Sequence, residues 1–138
     1  MFLANYSDGL SDVDLTAVID TLRRSDSVAC FVSVLPNATF HVVEADRDGR
    51  VRQIEHIRKT SARINGGFFA FRREIFQYFE DGEDLVEEPF HRLIAAGKLL
   101  TYKHDGYWAC MDTFKEKQEL EDIFAQGRPP WAVWSDVS

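Results

Sequence analysis

Two aspartates and a double glycine are the residues of this 138-residue chain whose placement could do chemistry. Asp8, in Tyr6-Ser7-Asp8-Gly9, stands where a short apolar run ends in a tight turn, with Gly9 available for positive φ. Asp112, in Met111-Asp112-Thr113, stands where an extended run gives way to a helix start. Open α/β sheets collect ligands outside the carboxyl ends of their strands, which is where both carboxylates fall. Two carboxylates facing one pocket repel unless a cation lies between them. One divalent ion shared with phosphate oxygens would hold both. Asp8 taken alone reads more readily as a turn residue that hydrogen-bonds its own backbone. Between the two lies Ile64-Asn65-Gly66-Gly67-Phe68-Phe69-Ala70-Phe71. Glycine inside a strand costs stability, so the pair marks either a bulge at a sheet corner or a place where backbone closely approaches a ligand. Asn65 adds a donor and an acceptor. The stretch reads as a strand whose entry walls a small-molecule pocket. Arg58, Lys59 and Arg63 form the densest group of cations ahead of it, in a segment that a solvated loop matches better than a binding site does.

The elements that must position these residues follow from pattern. Phe2 to Tyr6 reads as a short buried strand. Ser11 or Asp12 can cap a helix whose Leu15, Val18, Ile19 and Leu22 share one face. Val28 to Leu35 is a continuous β-prone run, as expected of a strand covered on both faces. Strand, helix, strand in succession suggests a βαβ crossover. Phe40 to Glu44 and Val51 to Ile57 flank Asp46-Arg47-Asp48-Gly49 and predict a hairpin. Arg72 to Phe79 and the run from Glu88-Pro89 to Gly97 predict two helices, the second with Phe90, Leu93 and Ile94 inward. Lys98 to Tyr102 and Tyr107 to Ala109 are extended, and Thr113-Phe114-Lys115-Glu116 is a capping box that opens a last helix. Gly127 to Trp134 is expected to be an extended segment packed by its tryptophans.

Composition narrows the partners. A net charge of −7 offers no basic stripe to nucleic acid. No apolar stretch is long enough to span a membrane, and Met1-Phe2-Leu3-Ala4 lacks the charged region of a secretory leader. Cys30 and Cys110 read as buried free thiols, which suits a reducing cytoplasm. The four histidines show no metal-ligand spacing, and no P-loop, G-x-S-x-G or G-x-G-x-x-G occurs.

The ordered set formed by the glycine stretch, Glu87-Glu88-Pro89, Gly97-Lys98-Leu99, Gly106-Tyr107-Trp108, Met111-Asp112-Thr113 and Pro130-Trp131 resembles the glucose-1-phosphate cytidylyltransferases, among sugar nucleotidyltransferases, from Phe2 to Trp134. Tyr6-Ser7-Asp8-Gly9 resembles their Gly-Asp-Gly metal site. The resemblance implies an α/β fold, a mixed sheet flanked by helices. Residues 1–138 would form one domain, the C-terminal part of a Rossmann-like, GT-A-like nucleotidyltransferase unit without its N-terminal strands. It implies transfer of CMP from CTP to glucose 1-phosphate, with Mg²⁺ on Asp8 and Asp112 and with Asn65, Gly66 and Glu88 near the sugar phosphate. The family's Gly-rich triphosphate loop is not among these residues. Its Glu-Lys-Pro is replaced by Ile54-Glu55-His56-Ile57-Arg58-Lys59, where Arg58 or Lys59 would take the lysine's place. The expectation is a chain inactive alone and prone to self-association at an uncovered sheet edge. A non-catalytic remnant that binds a sugar phosphate or a protein partner is the alternative.

Overall fold

Ala29–Val34 becomes the strand around which the others are arranged, β3, because its small and β-branched residues pack on both faces. The computed structural model describes residues 1–134. Around β3 lie β1 (Phe2–Asn5), β2 (Gly9–Ser11), α1 (Leu15–Arg23), β4 (His41–Ala45), β5 (Val51–His56) and β6 (Ile64–Phe71). The chain continues through α2 (Glu88–Ala95), β7 (Leu99–His104), β8 (Trp108–Cys110) and α3 (Phe114–Ala125). The main sheet has the order β1-β6-β3-β7. β3 runs parallel to β7 and antiparallel to β6, and β6 is antiparallel to β1, so the sheet is mixed. α1 does link two parallel strands, β1 and β3, but β6 is inserted between them.

Alternation along β3 divides its side chains between two cores. Cys30, Val32 and Val34 meet Val18 and Leu22 of α1 on one face. Ala29, with Phe69 and Phe71 of β6, meets Phe90 and Leu93 of α2 and Ile75 on the other. The sheet is thus flanked by helices on both faces, as the pattern implied. Leu22 and Leu93 are wholly buried, and truncating either to alanine costs about 2–5 kcal/mol. Arg72 ties the layers at one end, its guanidinium donating to the carbonyls of Leu22, Ser25 and Ser27.

Several expectations need correction. β1 is not buried: it lies at the edge of the sheet, with Phe2 and Leu3 exposed. Gly9 has no positive φ, because it already pairs with Cys110 in the β2–β8 ladder. α1 is capped by Asp14, whose Oδ1 accepts from the amides of Thr16 and Ala17. Ser11 and Asp12 are engaged elsewhere, with Tyr107 and His104. The segment after β6 forms only a 3₁₀ turn, Arg73–Gln77. Ile94 faces solvent, one position past the buried Leu93. In the tail, Trp131 packs on Tyr107 with ring centroids 5.6 Å apart, but Trp134 is exposed. Cys110 is only half-buried.

The hairpin forms as predicted, with Gly49 at φ +81° and Asp46 Oδ1 accepting from the amides of Asp48 and Arg50. It stands apart as a two-stranded ribbon, β4–β5. The capping box also forms: Thr113 and Glu116 exchange hydrogen bonds and start α3. Among the described residues, no helix is long and apolar enough to cross a membrane.

Candidate functional site

The glycine pair makes both the bulge and a pocket wall. Phe31 pairs with Phe69 and Ser33 with Asn65, so residues 66–68 of β6 stand opposite Val32 alone. Gly67 absorbs this excess at φ +75°, a conformation that side-chain-bearing residues rarely adopt. A Cβ there would lie 2.7 Å from Tyr6 Cδ2. A Cβ on Gly66 would lie 3.1 Å from the Val32 carbonyl oxygen and from Val34 Cγ1. The turn is fixed from two sides. Asn65 Oδ1 accepts from the Gly67 amide at 2.9 Å, and the Trp108 indole Nε1 donates to the Gly66 carbonyl at 2.8 Å.

This wall faces a cavity of about 380 Å³ lined by Tyr6, Asp8, Asn65, Gly66, Trp108 and Asp112, among others. Four residues singled out in the sequence therefore meet: Asp8, Asn65, Gly66 and Asp112. The turn after β1 and the loop after β8 are held together there, the Met111 amide donating to the Asp8 carbonyl at 3.0 Å. Among the described residues, the cavity lining contains two carboxylates and no lysine or arginine. Its negative field is felt by the Cys110 thiol, which burial first, and then Asp112, Glu116 and Asp8, push up to about 11. Burial and the charges of Asp84 and Asp8 likewise raise the Tyr6 phenol.

Cys110, Asp112 and Glu116 bring potential ligand atoms within 4.8 Å of one another. Helix capping accounts for this cluster. Glu116 Oε2 accepts from the Asp112 amide, the Thr113 amide and the Thr113 hydroxyl, and these bonds hold the Glu116 carboxyl below its usual range, those from Thr113 most. Cys110 is a protonated donor to Asp112 Oδ2 at 3.4 Å.

The remaining sequence candidates lie elsewhere. Glu88 is exposed in the first turn of α2, where its charge acts on Arg92. Arg58 and Lys59 are exposed in the 3₁₀ turn Ile57–Lys59. Arg58 borders a second cavity, of about 230 Å³, beside Asn37, His104 and Trp108. Arg63, grouped with them as a cation, is committed to structure. Its guanidinium donates to the carbonyls of Ser33 and His104 and pairs with Asp105, which clamps the carboxyl ends of β3 and β7.

Trp108 and Tyr6 are the site residues that sequence reasoning left without a role. Each anchors the glycine turn from a distant stretch, and no spacing rule joins 66 to 108. A second missed contact is Asp12 Oδ1 with His104 Nε2, at 2.8 Å. Gly106 leaves it room: a Cβ would lie 2.6 Å from that carboxylate oxygen.

The fold is that of a sugar nucleotidyltransferase, in part. A chain described as a glucose-1-phosphate thymidylyltransferase from Bacillus anthracis, solved in complex with a sucrose, superposes with a TM-score of 0.62 over 91% of this chain and 55% of its own, at 14% identity. No protein-family model matches. In sequence the chain is a homologue of the glucose-1-phosphate cytidylyltransferases. It is 33% identical over 135 residues to the one from Salmonella typhimurium, a match covering 96% of this chain and 52% of that protein. It is 32% identical, over the same shares, to the one from Salmonella typhi. The chain spans about half the length of the curated relatives it matches.

Proposed function

We propose that this chain carries the metal and sugar-phosphate side of a glucose-1-phosphate cytidylyltransferase site, where CTP and glucose 1-phosphate give CDP-glucose and pyrophosphate. The observation that supports this reading is the convergence of Asp8, Asn65, Gly66 and Asp112 on one cavity. The donor set suits Mg²⁺: two carboxylates from two separate loops, with no basic side chain in the lining to neutralise them. Asp8 and Asp112 would hold the ion, which supplies charge neutralisation for phosphate oxygens. The chain's own part is positioning. Gly66 and Gly67 keep the wall free of side chains, Asn65 sits at its lip, and Trp108 locks the Gly66 carbonyl so that the wall does not shift. Free cysteines fit a reducing cytoplasm.

Residues 1–138 alone are expected to be inactive. A triphosphate needs several converging amides and a fixed cation. Arg63 is engaged, Lys59 lies on the exposed 3₁₀ turn, and Arg58 borders the other cavity. A second reading is a non-catalytic remnant that binds a sugar phosphate or a protein partner, a phosphate entering the acidic lining only with a cation on Asp8 and Asp112. The test has two arms. Pyrophosphate release from CTP, glucose 1-phosphate and Mg²⁺ should be absent; turnover of about 1 per second or faster would refute the inactivity. Calorimetric titration with Mg²⁺ should show binding that Asp112→Asn weakens at least tenfold with an unchanged melting midpoint. Equal binding by the variant would refute the metal site.

A further inference from the structure

The carboxyl ends of β3 and β7 border a cavity that the metal site does not use. The two strands are parallel neighbours, with Val34 opposite His104, and ligands of open α/β sheets collect beyond such ends. The cavity, of about 230 Å³, is bordered by Asn37, Arg58 and His104, and Trp108 lines both it and the acidic cavity. Its electrostatic character is the opposite of its neighbour's. Asp105 is the carboxylate in its lining, and that carboxylate is paired with Arg63. The guanidinium of Arg58 is left to set the local sign, in a chain whose net charge of −7 otherwise repels anions.

Three polar side chains meet there uncommitted. Among the described residues, the Arg58 guanidinium and the Asn37 carboxamide have no hydrogen-bond or ion-pair partner. The backbone that carries Arg58 is fixed all the same. His56 Nδ1 accepts from the Arg58 amide at 3.2 Å, and the Ile57 amide donates to the Phe40 carbonyl at 3.1 Å. His104 is the third. Its Nε2 lies 2.8 Å from Asp12 Oδ1 and 3.3 Å from the Tyr107 carbonyl oxygen. Both of these oxygens accept, so Nε2 carries a hydrogen and the neutral ring keeps its lone pair on Nδ1. Nδ1 has no partner among the described residues. A guanidinium and a carboxamide suit negative oxygens, and a ring lone pair suits a hydroxyl hydrogen. Sulfate answers only the first of these demands.

We propose that this cavity binds an oxyanion that also carries a hydroxyl, hydrogen phosphate or the phosphate ester of a small polyol. Arg58 and Asn37 hold the charged oxygens, and His104 Nδ1 accepts from the hydroxyl. The ligand needs no metal, which separates this site from the one at Asp8 and Asp112, and neither result below bears on Mg²⁺ binding there.

The experiment titrates the 138-residue chain calorimetrically with phosphate and a chelator present, so that the acidic cavity has no cation with which to admit an anion. At about pH 8 phosphate and sulfate are both dianions, and only phosphate keeps a hydrogen. Phosphate should bind, and sulfate should bind at least tenfold more weakly. Arg58→Gln should weaken phosphate binding at least tenfold. Lys59→Gln removes the same charge from the same exposed turn, but Lys59 does not line the cavity, and the change should be less than twofold. If circular dichroism shows Arg58→Gln unfolded, Asn37→Ala should weaken binding at least threefold. The side-chain amide resonances of Asn37 should shift during the titration. Glycerol phosphate distinguishes the sources: tighter binding than phosphate assigns the site to an ester, weaker binding to the free anion. Equal losses in the two charge variants would overturn the proposal, because they report diffuse attraction to a basic turn. So would equal binding of sulfate, phosphate binding that appears only with Mg²⁺, or Asn37 resonances that stay in place.

Discussion

Gly67→Ala is the substitution whose cost can be worked most fully from the structure. At φ +75° any side chain is strained, and the left-handed conformation costs an L-residue about 1–2 kcal/mol. The new Cβ would also lie 2.7 Å from Tyr6 Cδ2, 3.1 Å from Cγ and 3.2 Å from Cβ. These atoms are at the root of the tyrosine, so a ring flip does not relieve them; the whole side chain must swing away. That forfeits the edge-to-face contact of Tyr6 with Phe69, whose centroids are 5.3 Å apart, a pair worth about 0.5–1.5 kcal/mol. The sum is about 1.5–3.5 kcal/mol, or a fall in melting midpoint of roughly 6–14 °C for a chain of this size. Gly97→Ala is the control, because its φ is +64° and nothing lies within 4 Å of the added Cβ. It should show only the backbone part, about 1–2 kcal/mol. Urea denaturation of both variants beside the parent separates the two components. A Gly67→Ala variant no less stable than Gly97→Ala would refute the claim that Tyr6 is packed against a bare backbone.

Trp108→Phe removes the donor to the Gly66 carbonyl and should cost about 1–2 kcal/mol, read by the same melts. In acid, Glu83 is informative. The hydrogen bond from Arg92 holds its carboxyl below the usual range. A carboxylate depressed in the folded state contributes stability above its unfolded pKa and loses it as pH falls through the folded one. Stability should therefore drop on acidification below the ordinary glutamate value of 4.5. Melting at pH 7 and near pH 3 should show Glu83→Gln less stable than the parent at neutral pH, and less changed by acid.

What was legible in the sequence was local. Gly97 and Gly49 announced their turns, and Thr113 with Glu116 announced a helix, because each structure is decided within a few residues. The composition of Ala29–Val34 sufficed to place it at the centre. Asp8 and Asp112 were picked out because both stand at the end of an extended run, and the fold does bring them to one cavity. The failures were tertiary. The apolar composition of Phe2–Asn5 says that the strand can be buried, not that a neighbour is there. Ser11 and Asp12 have the chemistry of helix caps, but Tyr107 and His104 take them, and Asp14 does the capping. Arg63 looked like Arg58 in sequence, yet two strand ends claim it. Trp108 could not be assigned because its partner is the carbonyl of Gly66, and a carbonyl leaves no mark on residue type.

Trp108 has an optical consequence. Its indole borders the acidic cavity, the Arg58 cavity and a third, of about 380 Å³, walled by Leu120 and Ile123 of α3. Indole emission follows the polarity and quenchers around the ring, so an occupant of any of the three compartments changes the colour or intensity of one residue. Of the other two tryptophans, Trp131 is tucked against Tyr107 and Trp134 is bathed in solvent. Subtracting the spectrum of Trp108→Phe isolates the signal of a chromophore that is already in place, and metal, sugar phosphate and nucleotide can each be titrated against it without attaching a dye.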